Sequence, residues 1–229
     1  MPAGRGVIDV SAEDSYPLDS FCIPPHYRAY VENVLIPHGL IIDRIEKISQ
    51  DIRADTGPEP VHFLCVLKGG EQFFSDLLQV VKRLHRYNED TSVFYTMDFI
   101  RVSSYANDGS SGHVTITGGD VRSFKGRNIV IVEDIIDTGL TMRKLVEEVK
   151  KYNPKSVRVA ALLVKRRKVE EPGPDGLTGY KPDYAGFSIP DYFVVGYCLD
   201  YNEFFRDMDH ICIINDAGKE RFKLTARTP

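Results

Sequence analysis

The chain has 229 residues, 42% of them hydrophobic and 27% charged, the balance of a globular domain rather than of a disordered chain. Lysine and arginine total 29 against 33 acidic residues, a formal net charge of −4, so no global field favours nucleic acid or an anionic membrane, although local basic sites for phosphate fit the same balance. The longest apolar runs, Val159–Val164 and Phe193–Leu199, fall far short of a bilayer span. Met1–Val10 lacks the apolar centre of a signal peptide, and no Asn-x-Ser/Thr sequon occurs. Cys22, Cys65, Cys198 and Cys212 are widely spaced with no C-x-x-C pair, which suits reduced thiols better than a disulfide framework or a zinc site. The expectation is a cytoplasmic globular protein.

Residues 1–20 are polar and aperiodic, the pattern of a flexible N-terminal arm. From His38 to Asp55, Ile41, Ile45, Ile48 and Ile52 recur at helical spacing between charges, and Gly57-Pro58 ends that helix. Val61–Leu67 reads as a buried strand, Lys68-Gly69-Gly70 as a turn, and Phe74, Leu77, Leu78, Val81 and Leu84 as the apolar stripe of a second helix. Val93–Val102 alternates imperfectly as another strand. Ser103–Gly119, rich in Gly, Ser and Asn, is either a long loop or a hairpin around His113–Thr117. Ile129–Val132 is four consecutive β-branched residues, as expected of a central parallel strand covered on both faces. A helix carrying Met142, Leu145, Val146 and Val149 follows and stops at Pro154. Val157–Val164 is the next strand, Glu170–Gly179 an exposed loop, and Phe193–Asp200 and Ile211–Ile214 the last strand candidates. Repeated strand–turn–helix units predict an open α/β sheet with right-handed crossovers, which binds ligands beyond the carboxyl ends of its strands.

At the end of Ile129–Val132 the chain places Glu133 beside Asp134. Adjacent carboxylates at the end of a buried strand repel and gain little from packing, so they call for a metal ion or for hydroxyl donors. Three residues on, Asp137-Thr138-Gly139-Leu140-Thr141 opens a helix. Unpaired amides and two hydroxyls there suit a phosphate, and Gly139 allows close approach. Together these describe a sugar-phosphate site. A plain helix cap by Asp137 or Thr138 accounts for one residue equally well, but not for the acidic pair. Neither G-x-x-x-x-G-K-[ST] nor a G-x-G-x-x-G between strand and helix is present.

The run Val132–Thr141, VEDIIDTGLT, resembles the phosphoribosyl pyrophosphate (PRPP) signature of the type I phosphoribosyltransferases. The chain is similar to their hypoxanthine-guanine branch also at Phe21–Pro24, Ile36–Leu40, Cys65–Gly70, Asp98–Arg101, Leu162–Arg166, Phe193–Tyr197, Leu199–Glu203 and Phe205–Asp207, so the likeness covers about residues 20–225. It implies an α/β fold: an open, mainly parallel twisted sheet flanked by helices, with a small second lobe, or hood. Residues 21–229 would form one domain, its core about 38–190 and its hood 21–37 with 191–229. The implied reaction is purine salvage: transfer of the 5-phosphoribosyl group of PRPP to N9 of hypoxanthine or guanine, giving IMP or GMP and pyrophosphate. Mg2+ is the implied cofactor and the implied partners are PRPP and a 6-oxopurine, in a homodimer or homotetramer without nucleic acid or membrane.

The resemblance also distributes roles. Asp137, Thr138, Gly139, Leu140 and Thr141 would hold the 5′-phosphate, and Glu133 and Asp134 the ribose hydroxyls. Glu133, Asp134 and Asp200 would serve the magnesium shell. Asp137 would be the acid/base at N7 of the purine. Ile135, Lys165, Phe193, Val194 and Asp200 would surround the base, with Lys165 donating to its 6-oxo group and Phe193 stacking on the ring. Lys68, Gly69 and Arg206 would meet pyrophosphate, and Ser104 and Tyr105 would lie in a closing lid. From the residues alone, Lys165 reads as well as a solvated strand end, Phe193 as core, Lys68–Gly70 as a plain turn, and Arg206 as the partner of Asp207 or Asp209.

Three places depart from the family pattern. Glu71-Gln72 stands where Tyr-Lys is common, Ser103 where a lysine is usual, and Tyr192 where lysine is again common. Three positive charges are thereby lost and one negative charge added around a polyanionic site, which predicts a raised KM for PRPP. The loop Arg167–Gly179 is also longer than usual. A non-catalytic nucleotide or RNA binder would want a basic face and no acid/base aspartate. The net charge of −4 and Asp137 oppose that reading.

Overall fold

The computed structural model describes residues 6–86, 94–104, 114–166 and 179–224. Its elements, in chain order, are β1 (Ile8–Asp9), β2 (Val31–Ile36), α1 (His38–Thr56), β3 (Val61–Leu67), α2 (Glu71–Arg86), β4 (Tyr95–Ser104), β5 (Val114–Thr117), β6 (Asn128–Ile136), α3 (Leu140–Lys150), β7 (Ser156–Lys165), β8 (Tyr184–Ile189), β9 (Val194–Val195), β10 (Ile211–Ile214) and α4 (Asp216–Arg221). Seven strands form one sheet in the order β1-β8-β7-β6-β3-β4-β5. All neighbours run parallel except β5, which turns back antiparallel on β4 as the second limb of a hairpin. A separate antiparallel sheet has the order β2-β10-β9.

The period of two along the central strands divides the core. Val130 and Val132 of β6 pack with Ile41, Ile45 and Ile48 of α1 and with Phe73, Phe74 and Leu77 of α2. Their neighbours Ile129 and Ile131 face the opposite side, against Met142, Leu145, Val146 and Val149 of α3. Both faces of β6 are therefore covered, which is why that segment is apolar without alternation. The small sheet has its own core of Val31, Val34, Val195, Cys212 and Ile214 beneath Tyr27 and Phe205. Leu35, Ile36, Ile211 and Ile213 from its other face join the α1–α2 core, so the two sheets share apolar contacts.

Three expectations change. Residues 1–20 are not all a flexible arm: Ile8–Asp9 adds a parallel strand to the edge of β8, and Val10 is 5% exposed. The pairing is made of backbone groups, which a polar, aperiodic sequence does not reveal. β8 is an unanticipated strand, its pattern interrupted by Gly186, where a Cβ would come within 2.5 Å of the Leu162 carbonyl oxygen. The expected strand Phe193–Asp200 shrinks to Val194–Val195, because Gly196, Tyr197 and Cys198 all adopt positive φ and turn the chain. Tyr105 and residues 167–178 of the expected loop lie outside the described residues. All four cysteines are free, with Cys65 and Cys212 buried, Cys198 half-buried and Cys22 exposed. Among the described residues no helix is long and apolar enough to cross a membrane.

Candidate active site

β6 extends four residues past its β-branched run, so Glu133 and Asp134 sit on the last part of the strand rather than beyond it. Each carboxylate caps the backbone just after it: Asp134 N–H donates to Glu133 Oε1 at 3.2 Å and Ile135 N–H to Asp134 Oδ1 at 2.9 Å. Burial, and then the like charge of Asp134, push the Glu133 carboxyl well above the usual carboxylate range. Asp134 presses against the turn after β3. A Cβ on Gly69 would lie 1.7 Å from its Oδ2, and one on Gly70 would lie 2.6 Å from the Val66 carbonyl oxygen of β3 and 3.3 Å from the Val132 carbonyl oxygen of β6, so the two glycines let this turn lie close to both strands. The Leu67–Lys68 peptide entering the turn is cis.

The register that pairs Ile136 of β6 with Val164 of β7 brings the next residues, Asp137 and Lys165, side by side. Lys165 Nζ lies 3.7 Å from Asp137 Oδ2 and 3.0 Å from Asp191 Oδ1, with only 11% of the side chain exposed. The lysine is thus held between two carboxylates and is not a solvated strand end. The helix that follows does not have Asp137 at its N-cap position. Its N-cap is Gly139, at φ +78 with no side-chain cap bond, and Thr138 Oγ1 reaches Leu140 N only at 3.4 Å. A Cβ on Gly139 would meet Tyr180 N at 2.2 Å. The first amides of α3 face a hollow.

That hollow, of about 200 Å³, is lined by Glu133, Ile135, Ile136, Asp137, Thr138, Gly139, Thr141 and Met142. A cleft of about 220 Å³ adjoins it, sharing Ile135 and Asp137, and adds Asp134, Lys165, Phe193, Val194, Leu199 and Asp200. The small sheet and the turn after it supply the last four. Phe193 is 45% exposed, held edge-on by Tyr201 at 5.2 Å between centroids, so one face remains open where a core reading would bury it. Arg206 pairs with Asp200 at 2.8 Å and Glu203 at 3.5 Å rather than with Asp207 or Asp209, and its Nη1 donates to the Cys198 carbonyl at 2.6 Å. Lys68 Nζ meets the same Glu203 carboxylate at 2.9 Å. Of the residues singled out in the sequence, Ser104 ends β4, and Tyr105 falls outside the described residues. Asp191, Leu199, Met142 and Glu203 were given no site role in the sequence reading. Only Glu203, three residues before Arg206, carries a sequence signal, as a charge pair.

One end of the sheet thus joins an amide-lined hollow flanked by carboxylates to a flatter cleft with one aromatic face and one lysine. Residues 34–202 match the phosphoribosyl transferase domain family. The chain is 52% identical over 219 residues to the human hypoxanthine-guanine phosphoribosyltransferase, covering 95% of this chain and 97% of that protein. The chain belongs to the hypoxanthine-guanine phosphoribosyltransferase family. The mouse hypoxanthine-guanine phosphoribosyltransferase is likewise 52% identical, over 97% of this chain and all of its own length. The crystal structure of the Schistosoma mansoni hypoxanthine-guanine phosphoribosyltransferase in complex with IMP superposes with a TM-score of 0.73 at 36% identity, covering 93% of this chain and 98% of that one. A family member of this length and topology has the mainly parallel, helix-flanked sheet expected from its signature run.

Proposed function

We propose that this protein transfers the 5-phosphoribosyl group of PRPP to N9 of hypoxanthine or guanine, releasing pyrophosphate, at the paired concavities beyond β6 and β7. The observation that carries the reading is the cleft in which Asp137 and Lys165 from the large sheet face Phe193, Val194 and Asp200 from the small one. The family membership agrees with it.

Each group has a task. The amides at the start of α3, with the hydroxyls of Thr138 and Thr141, receive the 5′-phosphate. Glu133 and Asp134 accept from the ribose hydroxyls. Phe193 offers its open face to the purine ring, and Ile135 adds an apolar side chain to the cleft lining. Lys165, held by Asp191 and Asp137, donates to the 6-oxo oxygen. Val194 and Asp200 present backbone groups to the exocyclic edge. Asp137, beside the lysine, exchanges the proton at N7 as N9 takes the ribosyl carbon. The anomeric carbon develops oxocarbenium character and needs no protein nucleophile, so placement and charge carry the rate. Lys68, the Gly69 backbone and Arg206 neutralise the departing diphosphate.

Among the described residues no three His, Cys, Asp or Glu side chains form a cation cage. Mg2+ needs no such cage, since it takes one or two carboxylates and fills its shell with water and substrate phosphate oxygens. Glu133, Asp134 and Asp200, all hard oxygen donors along the two concavities, fit that requirement. Bound there with PRPP, the ion would supply charge neutralisation of the diphosphate. The same reading takes the protein to be cytoplasmic, with the small sheet as a hood over the site and Ser104-Tyr105 in its lid. It includes a homodimer or homotetramer, favoured by Met97 and Phe99, which leave 48% and 42% of their surface exposed on one face of β4.

The test is nucleotide formation from PRPP and Mg2+ with hypoxanthine, guanine, xanthine and adenine in turn. Turnover of hypoxanthine and guanine is expected. Turnover of adenine alone, or of no base, would falsify the assignment.

A further inference from the structure

Glu203 stands between the two cations assigned above to pyrophosphate. Its Oε2 is 2.9 Å from Lys68 Nζ and 3.5 Å from Arg206 Nη2. A carboxylate bridging an ammonium and a guanidinium offers the same anionic oxygen pattern as a phosphoryl group. The diphosphate of PRPP therefore meets both cations already engaged.

The position of Glu203 is built into its turn. Asn202, Glu203 and Phe205 have φ of +52, +72 and +73, a region that L residues adopt at a cost. Three hydrogen bonds hold the turn there. Glu203 N–H donates to Asp200 Oδ2 at 2.7 Å, Asn202 Nδ2 to the Phe222 carbonyl at 2.8 Å, and Phe205 N–H to Tyr27 Oη at 3.1 Å. Strain kept by such supports collects at functional sites. Asp200 and Arg206 are themselves paired at 2.8 Å, so the turn also joins the purine end of the cleft to the diphosphate end.

We propose that Glu203 is a positioning residue, the resident counter-anion of the diphosphate site. It holds Lys68 and Arg206 in place between turnovers, gives them up to the diphosphate of PRPP, and takes them back as pyrophosphate leaves. The proposal rests on the reading of Lys68 and Arg206 given under Proposed function. The Lys68–Glu203 pair is solvent-exposed on both sides and hence weak, and the contact to the half-buried Arg206 is long at 3.5 Å, as a displaceable stand-in requires. A buried, tightly solvated pair would shut the substrate out.

The isosteric change Glu203→Gln, made in the full chain, removes the charge and keeps the shape. Calorimetric titration with pyrophosphate in the presence of Mg2+ should show binding about three- to tenfold tighter than in the unchanged protein. The gain should shrink as salt is raised, and the affinity for ribose 5-phosphate, which the amide hollow takes, should stay the same. Glu203→Asp, which withdraws the carboxylate by one methylene, should fall between the two. Arg206→Gln tests the underlying site, and its pyrophosphate affinity should drop. If Arg206→Gln binds pyrophosphate unchanged, the assignment of the diphosphate site fails, and the role of Glu203 with it. If Arg206→Gln weakens binding while Glu203→Gln leaves it unchanged or weaker, the role of Glu203 alone is overturned.

Discussion

Asp137 lines both concavities, and Gly139 takes the N-cap position of the helix that follows. Asp137→Asn keeps its volume and removes its proton exchange. Turnover should fall by about 10²- to 10⁴-fold, while PRPP binding measured by calorimetry holds. Undiminished turnover would reduce the aspartate to a mere neighbour of Lys165. Glu133 makes a second test at this scale. Burial and the adjacent Asp134 hold its proton on in the folded protein at pH values where an unfolded chain, near the ordinary 4.5, has lost it. The native state then binds more protons than the unfolded one, so this carboxyl's contribution is greatest below about pH 4.5 and declines as pH rises through its folded value. Glu133→Gln removes the slope, and its stability advantage over the unchanged chain should widen from pH 4.5 upward in urea titrations. Parallel curves would mean that Glu133 ionises in the native state without penalty.

The elements that sequence periodicity revealed are those whose packing is made of side chains. The isoleucines at 41, 45, 48 and 52 all lie buried along α1, and Ile129–Val132 lies between helices on both faces, so pattern and burial coincide. β1 and β8 escaped because backbone pairing and a close glycine approach define them. The left-handed turn at Asn202, Glu203 and Phe205 escaped for the related reason that no glycine marks it in the sequence, and the one at Tyr197 and Cys198 because its single Gly196 sits inside an apolar run. In the site, the acidic pair and the helix opening were legible as chemistry, whereas Lys165 and Phe193 needed the fold. Strand register alone sets the lysine beside Asp137. The edge strand gives an element-scale prediction. Deleting residues 1–11 removes the β1–β8 pairing, the buried Val10 and the bond from Arg166 Nη2 to its carbonyl at 2.5 Å. About 2–3 kcal/mol of stability should go, seen in urea unfolding, whereas a loosely held arm would leave the midpoint unmoved. The first turn of α2 gives another. There Gln72 donates to Asp76 at 3.1 Å, and Asp76 accepts the Tyr197 hydroxyl at 2.5 Å, while Glu71 adds an acidic group next to the Lys68 turn. Restoring the family's common pair with Glu71→Tyr, Gln72→Lys should lower KM for PRPP in steady-state kinetics at low salt. No fall would remove charge as the significance of that departure.

At the scale of the whole molecule, the two concavities differ in what they hold together. The hollow is built from one continuous stretch, Glu133 to Met142, whereas the cleft takes Asp134, Asp137 and Lys165 from the large sheet and Phe193, Val194, Leu199 and Asp200 from the small sheet and its turn. On the proposed reading, a ligand with only a sugar phosphate would tie down the β6–α3 turn, and one that also carries a purine would span both sheets. By mass action IMP at a hundred times its Kd adds about 2.7 kcal/mol, which for a chain of this length raises the unfolding midpoint by about 5–10 °C. The midpoint alone does not tell one site from another, but local opening does. Amide hydrogen exchange in the presence of IMP should slow at Asp137–Thr141 and also at Phe193–Leu199. Ribose 5-phosphate, at the same multiple of its own Kd, should slow only the first stretch. Protection of Phe193–Leu199 by both ligands would mean that the small sheet answers to general stiffening rather than to the purine. Protection by neither would place the base outside the cleft and leave Lys165 and Phe193 without their substrate.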